Sequence, residues 1–105
     1  MRKVNFKNWL DDANILRVSF EVERGNVKRF VVQLESCLNQ TWHPVVRYDT
    51  AHGFVHRDLL HPHQPATKLV LHVKNYREAL TFAIKDLTKN WHKHRQRYEA
   101  WLKQK

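Results

Sequence analysis

Fifteen residues near the middle of the chain, Arg47-Tyr48-Asp49-Thr50-Ala51-His52-Gly53-Phe54-Val55-His56-Arg57-Asp58-Leu59-Leu60-His61, hold three histidines, two arginines and two aspartates. A tight turn at Gly53 between two antiparallel strands places Arg47 and Asp49 on one face of the incoming strand. His56 and Asp58 then fall on one face of the outgoing strand. Cross-strand neighbours on a shared face approach within about 5 Å, so an imidazole, a carboxylate and a guanidinium come together. Those groups suffice for cleavage of RNA by its own 2′-hydroxyl. That reaction needs a base active near neutral pH, an acid for the leaving 5′-oxygen and a cation at the phosphorane. Histidine titrates in the required range, and arginine matches the planar, bidentate geometry of phosphate. The catalytic candidates are His56 as base or acid, His52 as its complement, Arg47 or Arg57 on the phosphate, and Asp49 orienting a histidine. The reaction calls for no metal and no cofactor.

Two other readings of the segment stand beside this one. In the plainer, Asp49 and Arg57 form a cross-strand pair and the histidines are solvated at a turn. In the other, three donors drawn from His52, His56, Asp58, His61 and His63 hold zinc or manganese. The His52-x₃-His56 spacing would put both rings on one face of a helix, but Gly53 and the β-rich surroundings argue against helix there.

A second chemical feature lies in the last third of the chain. Lys85, Lys89, His92 and Lys103 line one side of a helical wheel, with Lys93 and Arg97 beside them. Lys85, Lys89, His92, Lys93 and Arg97 are the candidate nucleic-acid contacts. Trp91, Tyr98 and Trp101 lie among these cations. Cations neutralise phosphates and aromatic rings stack on unpaired bases, although aromatics at helical spacing also serve as core.

The elements that position these groups follow from periodicity. Leu16, Val18, Phe20 and Val22 alternate with Arg17, Ser19 and Glu21, the pattern of a strand with one buried face. Arg24-Gly25-Asn26 supplies a turn, and Phe30, Val32 and Leu34 continue the alternation as the second arm of a hairpin. A turn near Asn39-Gln40 leads to a third strand, Trp42 to Thr50, with Val46 and Tyr48 on one face and Val45, Arg47 and Asp49 on the other. A fourth extended segment spans Phe54 to Leu60, and His61-Pro62-His63-Gln64-Pro65 breaks it. Leu69, Leu71 and Val73 mark a fifth strand. In residues 1–13, Phe6, Trp9 and Leu10 fit either a short docked helix or an edge strand. Cys37 reads as a buried packing residue near the end of the second strand.

Asn75-Tyr76-Arg77-Glu78 has the form of a capping box. Tyr76, Leu80, Ala83, Leu87, Trp91, His94, Tyr98 and Trp101 follow at spacings of three and four, an amphipathic stripe running without Gly or Pro to Lys105. About 28 helical residues reach roughly 42 Å. On a small domain the last two turns should overhang the sheet and serve a homodimer, a partner groove or a nucleic-acid arm. The expected fold is therefore α+β: an antiparallel sheet of four to five strands with one long C-terminal helix packed on it, a single domain over 1–105.

Composition narrows the function classes. The two glycines, Gly25 and Gly53, are too few and too far apart for a phosphate-binding glycine loop. One cysteine excludes an intrachain disulfide framework. No apolar run approaches the ~18 residues of a membrane span, and Met1 to Leu10 lacks the apolar stretch of a signal peptide, so a cytoplasmic protein is expected. The formal net charge is +9. Residues 1–73 hold ten Lys and Arg against seven Asp and Glu, whereas residues 74–105 hold nine against three. The positive field concentrates on the helix, which makes nucleic acid, RNA above all, the first partner to consider.

The stretch Val45-Val46-Arg47-Tyr48-Asp49-Thr50-Ala51-His52-Gly53-Phe54-Val55-His56-Arg57 resembles a pattern in small bacterial and archaeal families: Arg-Tyr-Asp-x-Ala-His-Gly followed by His-Arg. It is similar to the TumE-like toxin proteins, in which a Tyr-Asp stretch leads into a His-rich turn. The likeness covers roughly residues 45–61. It implies a two-gene toxin–antitoxin module with a DNA-binding antitoxin as partner, and it singles out Arg47, Tyr48, Asp49, His52 and His56. The sequence departs from the toxin pattern at Asp58, where another histidine is common, and in its long basic helix. The expectation is a toxin-like ribonuclease. Its rivals are a non-catalytic RNA- or DNA-binding module and a protein that assembles through its C-terminal helix.

Overall fold

Each alternating run forms a strand and each turn signal joins neighbours, so the chain builds its sheet strictly in sequence order. The computed structural model describes residues 1–104. The strands are β1 (Arg2–Asp11), β2 (Asn14–Glu23), β3 (Asn26–Leu38), β4 (Thr41–Asp49), β5 (Val55–Leu59) and β6 (Thr67–Leu71), followed by the helix α1 (Tyr76–Lys103). All six strands form one antiparallel meander, and α1 returns across one face. The α+β class and the C-terminal helix are as expected, but the sheet has six strands rather than four to five. Residues 2–11 supply the extra one as an edge strand on β2, from Arg2 opposite Val22 to Trp9 opposite Ile15. Nearly all of β1 is exposed, which is why its hydrophobic pattern is faint, and Lys3 and Lys7 put charge on that edge.

Two hairpins turn through paired residues of positive φ, Arg24 with Gly25 and Asn39 with Gln40. That conformation matches the twist of antiparallel strands and fixes the register on either side. Between β3 and β4 the register shifts, with Glu35 opposite Pro44 and Leu34 opposite Val46. Val45 is the extra residue of a β-bulge beside a proline that has no N–H to give. The bulge overturns the expected alternation of Val45 and Val46, because both join the core with no exposed surface.

The core lies between the sheet and α1. Leu16, Val18, Phe30, Val32, Leu34, Val46 and Tyr48 meet Ala79, Leu80, Ala83, Leu87 and Tyr98. Asn75 caps the helix, its side-chain oxygen accepting from Glu78 N at 2.9 Å. Asn75→Ala should cost about 1 kcal/mol, a fall in Tm of about 4–8 °C in a thermal melt. Arg95 pins the middle of the helix to the sheet by donating to Asn14 Oδ1 at 3.0 Å and to the Cys37 carbonyl at 3.3 Å. Cys37 itself is half-buried rather than buried.

The last turns of α1 do not overhang. Tyr98 is buried with its hydroxyl 3.3 Å from His43 Nδ1, Trp101 stacks on His61 at 4.4 Å, and His63 Nε2 lies 3.4 Å from the Leu102 carbonyl. The reason is the sheet's own length: thirteen residues of β3 extend about 43 Å, as far as the helix does. Lys105, the expected end of the helix, lies outside the described residues. No helix among the described residues is long and apolar enough to cross a membrane.

Candidate functional site

The face of the sheet away from α1 is open, and the β4–β5 hairpin arranges its polar residues. Register places Asp49 opposite His56 and Arg47 opposite Asp58, the juxtaposition expected from the period of two. His56 Nε2 lies 3.1 Å from Asp49 Oδ1 and 3.7 Å from Asp58 Oδ2. All three residues are buried.

Their burial comes from the connection between the strands. Thr50 anchors it, its hydroxyl accepting from Phe30 N at 3.1 Å. Asp49 Oδ1 also accepts from Ala51 N at 3.1 Å. Gly53 takes a φ of 83° and donates to the Thr50 carbonyl at 3.1 Å. The turn then folds back over the open face. His52 stacks on His56 with ring centroids 5.5 Å apart, and Phe54 covers it from 5.7 Å. His56 is left 3% exposed, and its Nδ1 has no partner. His52 remains exposed to solvent.

Around this centre the open face is shallowly concave. One depression of about 540 Å³ is lined by Lys7, Arg17, Gln33, Arg47 and Asp49. A neighbouring one, lined by Lys3, Lys28, Arg29, Asp49 and Gly53, reaches the turn. Arg47 is held by Gln33 Oε1 at 2.7 Å, and Gln33 donates in turn to Glu35 Oε2 at 2.7 Å. Arg17 pairs with Glu35, Arg29 and Lys3 pair with Glu21, and Lys68 lies 3.7 Å from Asp58 Oδ1. The cations outnumber the carboxylates on this face.

Four of the five catalytic candidates, Arg47, Asp49, His52 and His56, thus share one surface. Arg57 does not. It lies opposite Tyr48 and projects from the helix-covered face, because one step along a strand reverses the side chain. It can neither serve a phosphate beside His56 nor form the cross-strand pair with Asp49. His61 and His63 stand against the end of α1, away from the cluster. The donors that do converge are Asp49, His56 and Asp58, with one ligand atom from each within 4.8 Å of the others. A nitrogen and two carboxylate oxygens so placed suit a divalent cation.

On the helix, Lys85, Lys89, His92 and Lys93 are exposed as expected. Arg97 is half-buried and turned inward, its Nη1 2.9 Å from His94 Nδ1. Tyr98 is buried and Trp91 and Trp101 are half-buried, so these aromatics are packing residues. Sequence reasoning missed a polar network beneath the helix. Tyr48 donates to Asp86 Oδ2 at 2.6 Å, Asn90 donates to Asp86 Oδ1 at 2.8 Å, and His94 Nε2 lies 3.5 Å from Asp86 Oδ2. The available signal was Asp86, Asn90, His94 and Arg97 at spacings of four, four and three along the inner side of the helix.

Residues 1–104 match the model of one family, described as a domain of unknown function, DUF7718. Neither the curated proteins nor the solved structures contain a match.

Proposed function

The chain belongs to this domain family of unknown function, and from its residues we propose that it is a toxin-like ribonuclease acting through the β4–β5 hairpin. The observation that carries the reading is the Asp49–His56 pair at 3.1 Å with the exposed His52 ring stacked upon it and Arg47 on the same face. His52 is the group that meets the RNA. His56, buried and oriented by Asp49, positions the His52 ring stacked upon it, and Arg47 takes the phosphate. The exposed His52 imidazole removes the 2′-hydroxyl proton as the 2′-oxygen attacks phosphorus. The bond to the 5′-oxygen breaks, and that oxygen takes the proton from the His52 imidazolium. The products are a 2′,3′-cyclic phosphate and a 5′-hydroxyl. The resemblance of residues 45–61 to TumE-like toxins supports the same reading, and with it a DNA-binding antitoxin as partner and an intracellular target. The exposed cations Lys85, Lys89, His92 and Lys93 give the RNA a second, sequence-independent hold.

A second reading rests on the three converging donors. A divalent ion held by Asp49, His56 and Asp58 would polarise a phosphate and activate water. One experiment separates the readings: an RNA oligonucleotide is incubated with the protein in EDTA or with added Mn²⁺, beside the same strand carrying a single 2′-deoxy residue at the cleaved position. Cleavage that persists in EDTA and stops at the 2′-deoxy residue is the expected result. Cleavage only with Mn²⁺ and indifferent to the 2′-hydroxyl would give the metal reading. Salt-sensitive binding with no cleavage in either condition would leave a plain nucleic-acid-binding module.

A further inference from the structure

The polar network beneath α1 is unbalanced. Arg57 stands opposite Tyr48 in the register, Tyr48 donates to Asp86 at 2.6 Å, and Arg97 holds His94 at 2.9 Å. The five groups bring two guanidinium ions to a single carboxylate. Neither Arg57 nor Arg97 has an ion-pair partner among the described residues. Arg57 Nε and Arg97 Nε and Nη2 are buried without any hydrogen-bond acceptor among the described residues. His94 itself is only 8% exposed. Desolvated donors without acceptors are costly, and charged ones most of all. Two like charges around one carboxylate add repulsion. Burial, and then the charge of Arg57, lower the pKa of Arg97, with Asp86 opposing.

An anion removes all of these penalties together. Several N–H groups from two guanidinium planes suit a tetrahedral oxyanion with oxygens to spare for each. From this geometry we infer that Arg57 and Arg97 form a phosphate-binding site between β5 and α1, on the opposite side of the sheet from the His56 hairpin. Trp101, with Arg97 over its ring at 5.3 Å and His61 stacked at 4.4 Å, walls one side and limits the freedom of Arg97. The phosphate group comes either from free phosphate or from the end or backbone of an RNA strand. The inference is independent of any nuclease activity.

The test follows thermal unfolding and the Arg Nε–H NMR signals as inorganic phosphate replaces chloride at constant ionic strength. In the wild type a saturable rise in Tm is expected, several degrees once phosphate exceeds its Kd about tenfold, with shifts in the Arg57 and Arg97 Nε–H signals. Arg97→Gln should weaken phosphate binding at least tenfold, and Arg57→Gln should do the same. Lys28→Ala/Lys74→Ala, which removes exposed charge only, should leave it unchanged. A second arm compares a short RNA with and without a 5′-phosphate. Phosphate-dependent RNA binding that inorganic phosphate competes away assigns the site to RNA ends, and equal binding of both strands assigns it to the backbone or to free phosphate. The inference is overturned if phosphate stabilises no more than chloride, or if the Nε–H signals stay fixed. It is equally overturned if Lys28→Ala/Lys74→Ala abolishes the effect. The NMR arm uses the wild type alone, so a variant that fails to fold does not leave the question open.

Discussion

His56→Ala is expected to slow RNA cleavage about 10³-fold, within the 10²–10⁴ range of a positioned acid or base. The ring fills the space between Asp49 and Asp58 and supports the His52 ring, so its removal takes away the platform that positions the reacting imidazole. Stability should fall as well, by about 2 kcal/mol, since the buried carboxylates lose their nearest donor. Rates must therefore be compared at equal folded concentration, checked by circular dichroism. Asp49→Asn separates positioning from proton transfer. It keeps the size of the side chain but presents an amide where the ring meets a carboxylate. A loss of 10- to 100-fold with a displaced pH–rate profile, on the scale of general acid–base effects, is the expected outcome. His52→Ala, at an exposed position, should lose as much activity as His56→Ala with almost no change in Tm. Wild-type rates in both histidine variants would remove the hairpin from the chemistry altogether.

Much of this arrangement was readable beforehand because it depends on local periods. Parity along two strands joined by a tight turn puts Arg47, Asp49, His56 and Asp58 on one face, and the register confirms it. The same parity sends Arg57 to the opposite face, so counting it among the phosphate ligands of the hairpin ran against the period of two. The helical stripe from Tyr76 to Trp101 is likewise local, and all eight of its positions are buried or half-buried. What escaped detection depends on contacts distant in sequence. Tyr48 and Asp86 are 38 residues apart, and Arg95 and Asn14 are 81 apart; no local pattern announces either pair. For β1 the sequence admits both a docked helix and an edge strand, because an edge strand needs no apolar face to mark it. The overhang was misjudged because the helix was measured against a typical small sheet, whereas β3 alone has thirteen residues. The bulge at Val45 had a visible cue in Pro44, but a proline shows only that a ladder bond is missing. It does not show which way the strand shifts to compensate.

Asp86→Ala should destabilise the fold by about 3 kcal/mol at neutral pH, the cost of stripping a buried network of its only carboxylate. A fall in Tm on the order of 15 °C would accompany it. The Tyr48 hydroxyl loses its acceptor, and two guanidinium ions lose the one negative charge near them. The size of the defect depends on pH at both extremes, with opposite signs. Burial raises the pKa of the Asp86 carboxyl, but hydrogen bonds from His94, Tyr48 and Asn90 outweigh it and hold the group well below the usual carboxylate range. A carboxyl depressed by folding stabilises fully above its unfolded pKa and loses that contribution as pH falls. The gap between wild type and Asp86→Ala should therefore be complete at pH 7 and narrow below about pH 4. Tyr48 behaves conversely: burial, then the hydrogen bond to Asp86, raise its pKa far above the ordinary value. A group raised by folding stabilises below its unfolded pKa and loses that contribution as pH rises, so wild type should weaken above about pH 10. Tyr48→Phe should remove most of that alkaline limb. Chemical denaturation of the three proteins at pH 3, 7 and 11 measures both limbs. A gap between wild type and Asp86→Ala that stays constant from pH 7 to pH 3 would mean that the carboxylate's charge does not hold Tyr48 and the two arginines together. If the gap closes on the acid side, the ionised carboxylate is what lets a tyrosine and two arginines share one interior.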